Sequence, residues 1–158
     1  MPKINIEEAP SFKGSSYPPP FDQPCKGRSG MRLGAAAGLT QFGVNLMTLE
    51  PGAWSSQRHW HEKEDEFVYV LSGELVLLED EGETILEAGD CAAWKAGVRG
   101  GHHLVNRSPC EATFLVVGTR DDTDWGEYSD IDMRFNSARH EPGGSPGGRY
   151  SRKDGTPY

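Results

Sequence analysis

The sequence predicts an all-β fold, and three observations lead to this class. Short β-prone runs follow one another closely, glycine-containing turns separate them, and no amphipathic helix of about ten residues or more interrupts them. Many short strands joined by such turns are typical of a sandwich, a jelly roll or a closed barrel. No internal repeat suggests a propeller.

Each predicted element is a run of β-prone residues bounded by a turn. In chain order the predicted strands are FGVNLMTL, EFVYVLS, ELVLLE, ETILE and ATFLVVG. The turn signals between them are Pro51–Gly52, Ser72–Gly73, Glu81–Gly82 and Ala88–Asp90. This pattern places a barrel at residues 39–118.

Two segments of different composition flank the barrel. Residues 11–30 are rich in serine, proline and glycine, and proline lacks the backbone N–H that a central strand needs. We therefore expect an N-terminal arm at residues 1–38 and a C-terminal extension at residues 119–158. His140 lies in a Gly/Pro-rich stretch of the extension, where a surface position is expected.

Length and charge bound the class of protein. The 158 residues fit one domain with some tail. A net charge of -8 without a basic stripe argues against a nucleic-acid partner, because phosphates would be repelled. We find neither a signal-peptide pattern nor a long apolar stretch, so we expect no membrane partner and a cytoplasmic protein.

The three cysteines are too scattered for a disulfide framework or a Cys-x-x-Cys zinc site. We expect Cys25, Cys91 and Cys110 to be reduced thiols, with Cys91 as a small buried residue.

The stretch RHWHEKEDE contains candidate metal ligands. On a strand His59 and His61 would face the same way, whereas on a helix they would point to nearly opposite sides. Glu66 opens the next predicted strand in phase with Val68 and Val70, where a carboxylate is costly to bury unless it is paired or binds a cation. These three candidates would lie on two neighbouring strands.

The residues around this stretch have simpler expected roles. Ser55 and Gln57 are in phase with the two histidines and are our candidate substrate-binding residues. Arg58 and Trp60 should face the other way, with Trp60 packed in a core or an interface. We expect a solvated loop at the four charged residues Glu62, Lys63, Glu64 and Asp65.

A further pair of histidines follows in GGHHLVN. Because side chains alternate along a strand, only one of His102 and His103 can face the interior.

These residues resemble the two motifs of the cupin superfamily, whose fold is a jelly-roll barrel also called a double-stranded β-helix. The first motif, glycine, His-x-His, glutamate and glycine, is matched by Gly52, His59, His61, Glu66 and Gly73. The second motif is matched by Gly89, Gly97, His102 and Asn106. Lys95 stands where the second motif has proline, and extra residues precede His102, so the turn before this histidine is remodelled. The wider sequence is similar to small bacterial single-domain cupins of largely unassigned activity.

The resemblance implies that one divalent transition metal is held by His59, His61, Glu66 and His102. Three imidazoles and a carboxylate suit Fe, Mn, Ni, Cu or Zn better than Mg²⁺ or Ca²⁺. Because imidazoles must be neutral to bind, acidification toward about pH 5 should release the metal.

The motif also favours His102 over its neighbour. The spacing from His102 to Asn106 reproduces the end of the second motif, whereas the spacing from His103 does not. With His102 inward, Leu104 and Asn106 also face inward and Arg107 faces solvent, which is the less costly arrangement.

The resemblance leaves three functions open. The first is an enzyme acting on a small oxygenated molecule, similar to sugar-phosphate isomerases, in which the metal acts as a Lewis acid. The others are an Fe(II) dioxygenase and a ligand-sensing or storage barrel without turnover. The sequence assigns no catalytic base. Candidate phosphate contacts are Arg58, Lys95 and Arg99, although a solvated role is the simpler interpretation of each.

We also expect a homodimer. The proline-rich arm of one chain could cover an exposed strand edge of another by strand addition.

Overall fold

The structure is a computed structural model that describes residues 3–137 and 148–158. Its strands in these residues are β1 (Ser11–Lys13), β2 (Arg28–Arg32), β3 (Phe42–Leu49), β4 (Glu66–Ser72), β5 (Glu74–Glu79), β6 (Gly82–Glu87), β7 (Cys91–Trp94), β8 (His103–Val105), β9 (Ala112–Thr119), β10 (Gly126–Glu127), β11 (Arg134–Phe135) and β12 (Tyr150–Ser151). The five predicted strands are confirmed as β3, β4, β5, β6 and β9.

Helix is a minor component of the described residues. It is confined there to α1 (Leu33–Ala36) and two 3-10 turns, Ile6–Glu8 and Gln23–Cys25. None of these helices is long and apolar enough to span a membrane.

Two antiparallel sheets form the barrel. The larger sheet has the strand order β1-β2-β3-β9-β4-β7 and the smaller one β6-β5-β8. In the larger sheet β3 and β9 pair along their whole length, from Phe42 opposite Thr119 to Leu49 opposite Ala112. Strands from distant parts of the chain are therefore neighbours, as in a jelly roll. The predicted all-β jelly-roll barrel is confirmed.

The core lies between these two sheets. Alternation along β4 buries Val68 and Val70 and leaves Phe67, Tyr69 and Leu71 exposed on the outer face. The other buried members of this core are Met47, Leu49, Ala53, Leu75, Leu77, Leu86, Leu104, Ala112 and Phe114. Removing this apolar surface from water, at about 25 cal/mol per Å², stabilises the stacked sheets.

Asn106 ties the end of β3 to the turn that follows β8. Its side-chain amide donates to the backbone oxygens of Leu49 and Cys110, both at 2.8 Å, and its Oδ1 accepts the N–H of Ser108 at 3.0 Å. Because the side chain is fully buried, each of these bonds avoids the cost of an unpaired polar group. The inward orientation predicted for Asn106 is confirmed.

The flanking segments pack onto the barrel and onto each other. β1 and β2 extend the larger sheet beyond β3, whereas the proline-rich residues 15–24 form no strand. After the barrel, β10, β11 and β12 form a third sheet. A second apolar cluster joins the two flanks through Tyr17, Cys25, Tyr128, Met133 and Phe135. The boundaries at residues 38 and 118 stay predictions, and His140 lies outside the described residues.

The three cysteines are free thiols, and their burial differs from the expectation at one position. Cys25 is buried and Cys110 is exposed. The prediction of a buried Cys91 was wrong, because β7 is the outermost strand of the larger sheet and Cys91 lies opposite the exposed Tyr69.

Candidate metal centre

His59 and His61 lie on a segment that is less regular than predicted. Residues 55–58 form a series of bends, and His59 makes isolated backbone pairings with His102 on one side and Tyr128 on the other. The N–H of His59 donates to the backbone oxygen of His102 at 3.2 Å, and the reciprocal bond measures 3.0 Å. The rings of His59 and His61 still lie together, with centroids 5.0 Å apart.

Glu66 approaches these rings from the larger sheet. It opens β4 in phase with the buried Val68 and Val70, as predicted. The neighbours of β4 are β7 and β9, however, whereas His59 pairs with the residue that precedes β8 of the smaller sheet. The prediction of neighbouring strands was therefore wrong. Glu66 comes from the larger sheet, whereas His59 and His102 pair with each other beside β8 of the smaller sheet.

Three imidazoles converge on one carboxylate oxygen. Oε2 of Glu66 lies 3.2 Å from Nε2 of His102, 3.6 Å from Nε2 of His61 and 3.9 Å from Nε2 of His59. Donor atoms of His59, His61 and Glu66 all lie within 4.8 Å of one another, so these residues form a group able to hold a metal ion. Imidazole and carboxylate donors together fit a first-row transition metal.

The second nitrogen of each ring determines whether Nε2 can bind a cation. Nδ1 of His59 lies 2.9 Å from the backbone oxygen of Gln57, and Nδ1 of His61 lies 2.8 Å from Oδ2 of Asp124. Because both partners are acceptors, we assign the hydrogen to Nδ1 in each ring. Nε2 then keeps the lone pair that a metal requires.

His102 is held mainly by stacking. Its ring lies parallel to the indole of Trp94, with an interplanar angle of 4° and a centroid distance of 3.8 Å. Trp94 is fixed in turn because its Nε1–H donates to Glu79 at 2.7 Å. Nδ1 of His102 is buried and has no hydrogen-bond partner in the described residues. The ring therefore contacts Glu66 through Nε2 while one face is covered by an aromatic plane.

His103 occupies a different environment from its neighbour. Its Nδ1 lies 2.9 Å from the backbone oxygen of Ser56, and its ring meets Trp54 edge-on with centroids 4.7 Å apart. Only His102 contacts Glu66, but the expectation that just one of the two histidines faces the interior is not met, because both are buried and Trp54 covers His103.

Electrostatics favour a charged carboxylate beside a neutral imidazole. Burial acts to raise the pKa of Glu66, but the hydrogen bond from His102 and the electrostatic interactions with His102, His59 and His61 outweigh it, and the net pKa lies well below the usual range. The pKa of His59 is also lowered well below its ordinary value, chiefly by burial and then by His61 and His102. At neutral pH both groups are therefore in the protonation state that binds a cation.

We expect the metal-free protein to lose stability as the pH falls below about 6.5, the ordinary pKa of histidine. Burial lowers the folded-state pKa of both His59 and His103. Below about pH 6.5 the unfolded chain thus binds protons that the folded chain does not, so the free energy of unfolding declines. Glu66, whose folded pKa is lowered, stabilises the fold above its unfolded pKa of about 4.3 and loses that contribution only below it.

Urea titrations between about pH 8 and about pH 5 measure this dependence, since the slope reports the difference in bound protons. His103→Gln should make the slope shallower without changing its sign. A free energy of unfolding that stays constant over this range in the wild type would contradict the prediction. In the presence of metal, acidification over the same range should also release the ion.

Two buried carboxylates beside His61 were missed by the sequence analysis. Asp124 is fully buried, and its Oδ1 accepts the N–H of Lys63 at 2.7 Å. Glu64 is only 7% exposed, and it accepts the N–H of Asp121 at 2.9 Å. The prediction that Glu64 is solvated was wrong, because the chain after β9 folds back over this loop. The sequence signal for Asp124 was weak, since it is one of several acidic residues in DDTDW.

A cavity of about 590 Å³ reaches the three imidazoles. Its walls near them include Ser55, Ser56, Trp94, Tyr128 and Phe135. Gln57 does not line the cavity, because the bends at residues 55–58 break the expected alternation and its amide donates to the backbone oxygen of Phe21 at 2.8 Å. Ser55 does line the cavity, and its Oγ accepts the N–H of Leu104 at 2.9 Å.

The cations named as candidate phosphate contacts lie elsewhere. Arg58 forms an ion pair with Asp130 at 2.6 Å, and Arg99 forms one with Glu62 at 3.2 Å. Neither of these arginines, nor Lys95, lines the cavity.

Comparisons with known proteins agree with this geometry. The family described as Cupin domain matches residues 45–118. One solved crystal structure is of a sugar phosphate isomerase from a cupin superfamily, from Silicibacter pomeroyi. That protein is 47% identical to this chain, the alignment covers 99% of this chain and 96% of that chain, and the TM-score is 0.89. The chain belongs to the cupin superfamily.

Two further solved structures resemble this cupin. One, from Acidithiobacillus ferrooxidans, is provisionally named a sugar phosphate isomerase. It is 32% identical, the alignment covers 72% of each chain, and the TM-score is 0.68. The polyketide cyclase RemF from Streptomyces resistomycificus is 20% identical, covers 77% of this chain and 80% of that chain, and has a TM-score of 0.62. At that identity the likeness is one of fold alone. No curated protein sequence matches the chain.

The cupin motifs account for two glycines of the barrel. Gly73 has a φ of 77°, and a Cβ there would lie 2.8 Å from the Cα of Ala112, so both conformation and space require glycine. Gly97 has a φ of 81° in the turn where Lys95 replaces the motif proline, and its N–H donates to the backbone oxygen of His61 at 2.9 Å. The remodelled turn is thus anchored to the first motif.

Trp60 packs in the interior on the side away from the cavity. It is buried, and its ring lies edge-on to Trp125 with centroids 5.3 Å apart. The core packing expected for Trp60 is confirmed.

Proposed function

We propose that this cupin is a metal-dependent enzyme that isomerises a small phosphorylated sugar. The observation that carries the proposal is the convergence of three imidazoles on the Glu66 carboxylate at a cavity of about 590 Å³. A cavity of this volume suits a small-molecule ligand. The 47% identity to a protein named a sugar phosphate isomerase supports the same class of substrate.

In this proposal one divalent transition metal (Fe, Mn, Ni or Zn) is held by His59, His61, Glu66 and His102. When bound, the metal supplies a Lewis acid that polarises the carbonyl of a sugar and stabilises the negative charge that develops on its oxygen. Donor atoms of His59, His61 and Glu66 lie within 4.8 Å of one another, and His102 adjoins this group because its Nε2 lies 3.2 Å from Oε2 of Glu66.

The protein's other side chains would hold the sugar and exclude water. Trp94, Tyr128 and Phe135 give the cavity aromatic walls beside the imidazoles. Exclusion of water strengthens the electrostatic interactions inside such a site. Ser55 is the candidate contact to a substrate oxygen, whereas Gln57 would act through its backbone oxygen by orienting the ring of His59.

Metal analysis of protein purified without chelators, followed by a screen of sugar phosphates, tests the proposal. We expect a stoichiometric transition metal and, in D₂O, exchange of the hydrogen next to the carbonyl of an accepted sugar. His59→Ala should lose both the metal and the exchange. Oxygen uptake without isomerisation would replace the proposal by an Fe(II) dioxygenase, and ligand binding without turnover would replace it by a sensing or storage role.

We also propose that the chain forms a homodimer through the outer face of the larger sheet. Phe67, Tyr69 and Leu71 of β4 are 39%, 39% and 44% exposed. Val117 and Leu115 lie opposite the first two on β9, so the apolar surface is continuous across strands. Apolar patches of this kind on soluble proteins mark interaction surfaces.

Light scattering at micromolar concentration should give the mass of two chains for the wild type and of one chain for Tyr69→Glu, because burying that carboxylate in an apolar interface is unfavourable. A single-chain mass for the wild type would contradict the dimer. A dimeric Tyr69→Glu would leave strand addition by the N-terminal arm as the basis of assembly.

A further inference from the structure

On the inner side of the larger sheet, two glycines lie in one row between Glu66 and Arg120, so no side chain separates the two. Glu66 on β4 lies opposite Gly118 on β9, and Gly118 lies opposite Gly43 on β3. Neighbouring strands are about 4.8 Å apart, so the backbones of Glu66 and Gly43 are about 10 Å apart. Both glycines line the cavity, and together they form an open floor that leads away from the imidazoles.

Two arginines lie at the far end of this floor. A Cβ at Gly43 would lie 3.5 Å from both Nε and Nη2 of Arg120, so the guanidinium rests over Gly43. Arg32 reaches the same end from β2, where it lies opposite Asn45, the next inward-facing residue of β3. The guanidinium carbon of Arg32 is 4.6 Å from the ring centroid of Phe12. Both arginines line the cavity.

Neither guanidinium has a counter-ion in the part of the chain that the structure describes. Within residues 3–137 and 148–158, no hydrogen-bond acceptor or carboxylate pairs with the side chain of Arg32 or Arg120. By contrast, Arg58, Arg99 and Arg107 each face a carboxylate outside the cavity. In a chain with a net charge of -8, two uncompensated positive charges at one end of a cavity favour an anionic ligand there.

The other charged residues of the cavity wall are already engaged. Oδ1 of Asp65 accepts the N–H of Ala96 at 2.8 Å, and Glu64 accepts the N–H of Asp121 at 2.9 Å. Arg28 donates to the backbone oxygen of Gly14 at 2.8 Å and to that of Ser55. Lys13 pairs with Glu50 at 3.0 Å, and Arg149 donates to Oγ of Ser16 at 2.9 Å. Arg120 and Arg32 are therefore the cations of the cavity wall whose side chains have no acceptor among the described residues.

We infer that Arg120 and Arg32 form a phosphate subsite about 10 Å along the sheet from Glu66. Guanidinium groups bind phosphate through paired N–H donors, and the glycine floor leaves room for the carbon chain between the two sites. The ligand is a phosphorylated sugar that spans the floor, with its phosphate on the arginines and its carbonyl at the imidazoles; the position of the carbonyl rests on the proposed function.

Calorimetric titration of the metal-free protein tests the subsite without the metal chemistry. We expect the wild type to bind inorganic phosphate and glucose 6-phosphate but not glucose. Arg120→Gln should weaken the binding of both phosphates by about tenfold or more, because a charged hydrogen-bond donor is lost. Arg32→Gln should give a smaller loss, because Arg32 is more exposed.

Arg107→Gln is the matched control, since it removes the same charge from an exposed pair with Glu83 outside the cavity. Wild-type phosphate affinity in Arg120→Gln, or an equal loss in Arg107→Gln, would overturn the subsite.

The two proposals fail in different ways. Phosphate binding that depends on Arg120, without isomerisation of any sugar phosphate, would overturn the proposed function and leave the subsite. Isomerisation with an unchanged KM in Arg120→Gln would overturn the subsite and leave the function. His59→Ala should lose metal and turnover while keeping its affinity for inorganic phosphate.

Discussion

His102→Ala is expected to lose most of its bound metal, to the same extent as His59→Ala. Nε2 of His102 lies 3.2 Å from Glu66 and its ring stacks on Trp94, so the substitution removes a donor whose position is fixed. Loss of a group that only orients a ligand costs about 10–100-fold in metal affinity, and loss of a ligand should exceed this. Metal analysis after identical purification measures the effect.

His103→Ala is the matched control for this prediction. His103 contacts the backbone oxygen of Ser56 and the ring of Trp54. We expect this variant to keep its metal but to lose about 1–3 kcal/mol of folding stability, because a buried acceptor loses its partner. Metal retained in His102→Ala and lost in His103→Ala would contradict our assignment of the ligands.

Asp124→Asn should weaken metal binding by about 10–100-fold although no ligand is removed. Oδ2 of Asp124 accepts from Nδ1 of His61 at 2.8 Å, while Oδ1 accepts the N–H of Lys63 at 2.7 Å. An asparagine that keeps its oxygen toward Lys63 presents its NH₂ group to Nδ1 of His61, where two donors would meet. The ring then favours a hydrogen on Nε2, the atom that should face the metal. Equilibrium metal titration measures the loss.

Asp122→Asn is the control that distinguishes an effect on the orientation of the His61 ring from an effect of net charge. Asp122 is exposed and two positions from Asp124, so its substitution removes the same formal charge without touching His61. We expect wild-type affinity in Asp122→Asn. Equal losses in the two variants would indicate a general charge effect, and an unchanged affinity in Asp124→Asn would show that the carboxylate does not position the ring.

Local sequence pattern was sufficient to predict five of the strands, β3, β4, β5, β6 and β9, and the inward-facing residues of β4. The strand period of two placed Glu66 in phase with Val68 and Val70. Alternation counted from His102 likewise placed Arg107 in solvent, where it pairs with Glu83 at 2.6 Å. These features depend on neighbours along one strand, so they can be read from a short stretch of sequence.

The features that could not be predicted depend on residues that are distant in the chain. Asp124 is 63 positions from His61, and the two meet only because the chain after the barrel folds back. Gln57 fails the alternation rule because its amide bonds to Phe21 in the N-terminal arm. Arg120 reaches the row of Glu66 through the order of the sheet, which no local pattern specifies.

The division of the site between the barrel and its flanks has a consequence for protein engineering. The matched residues 45–118 contain all four proposed metal ligands, whereas Tyr128, Phe135 and Arg32 lie outside them. Exchanging the terminal segments between related proteins could therefore alter which molecule is accepted while the donor set stays intact. The exchange is not fully modular, because Asp124 also lies outside the matched region. A graft that omits its counterpart would inherit the right ligands in a poorly oriented form.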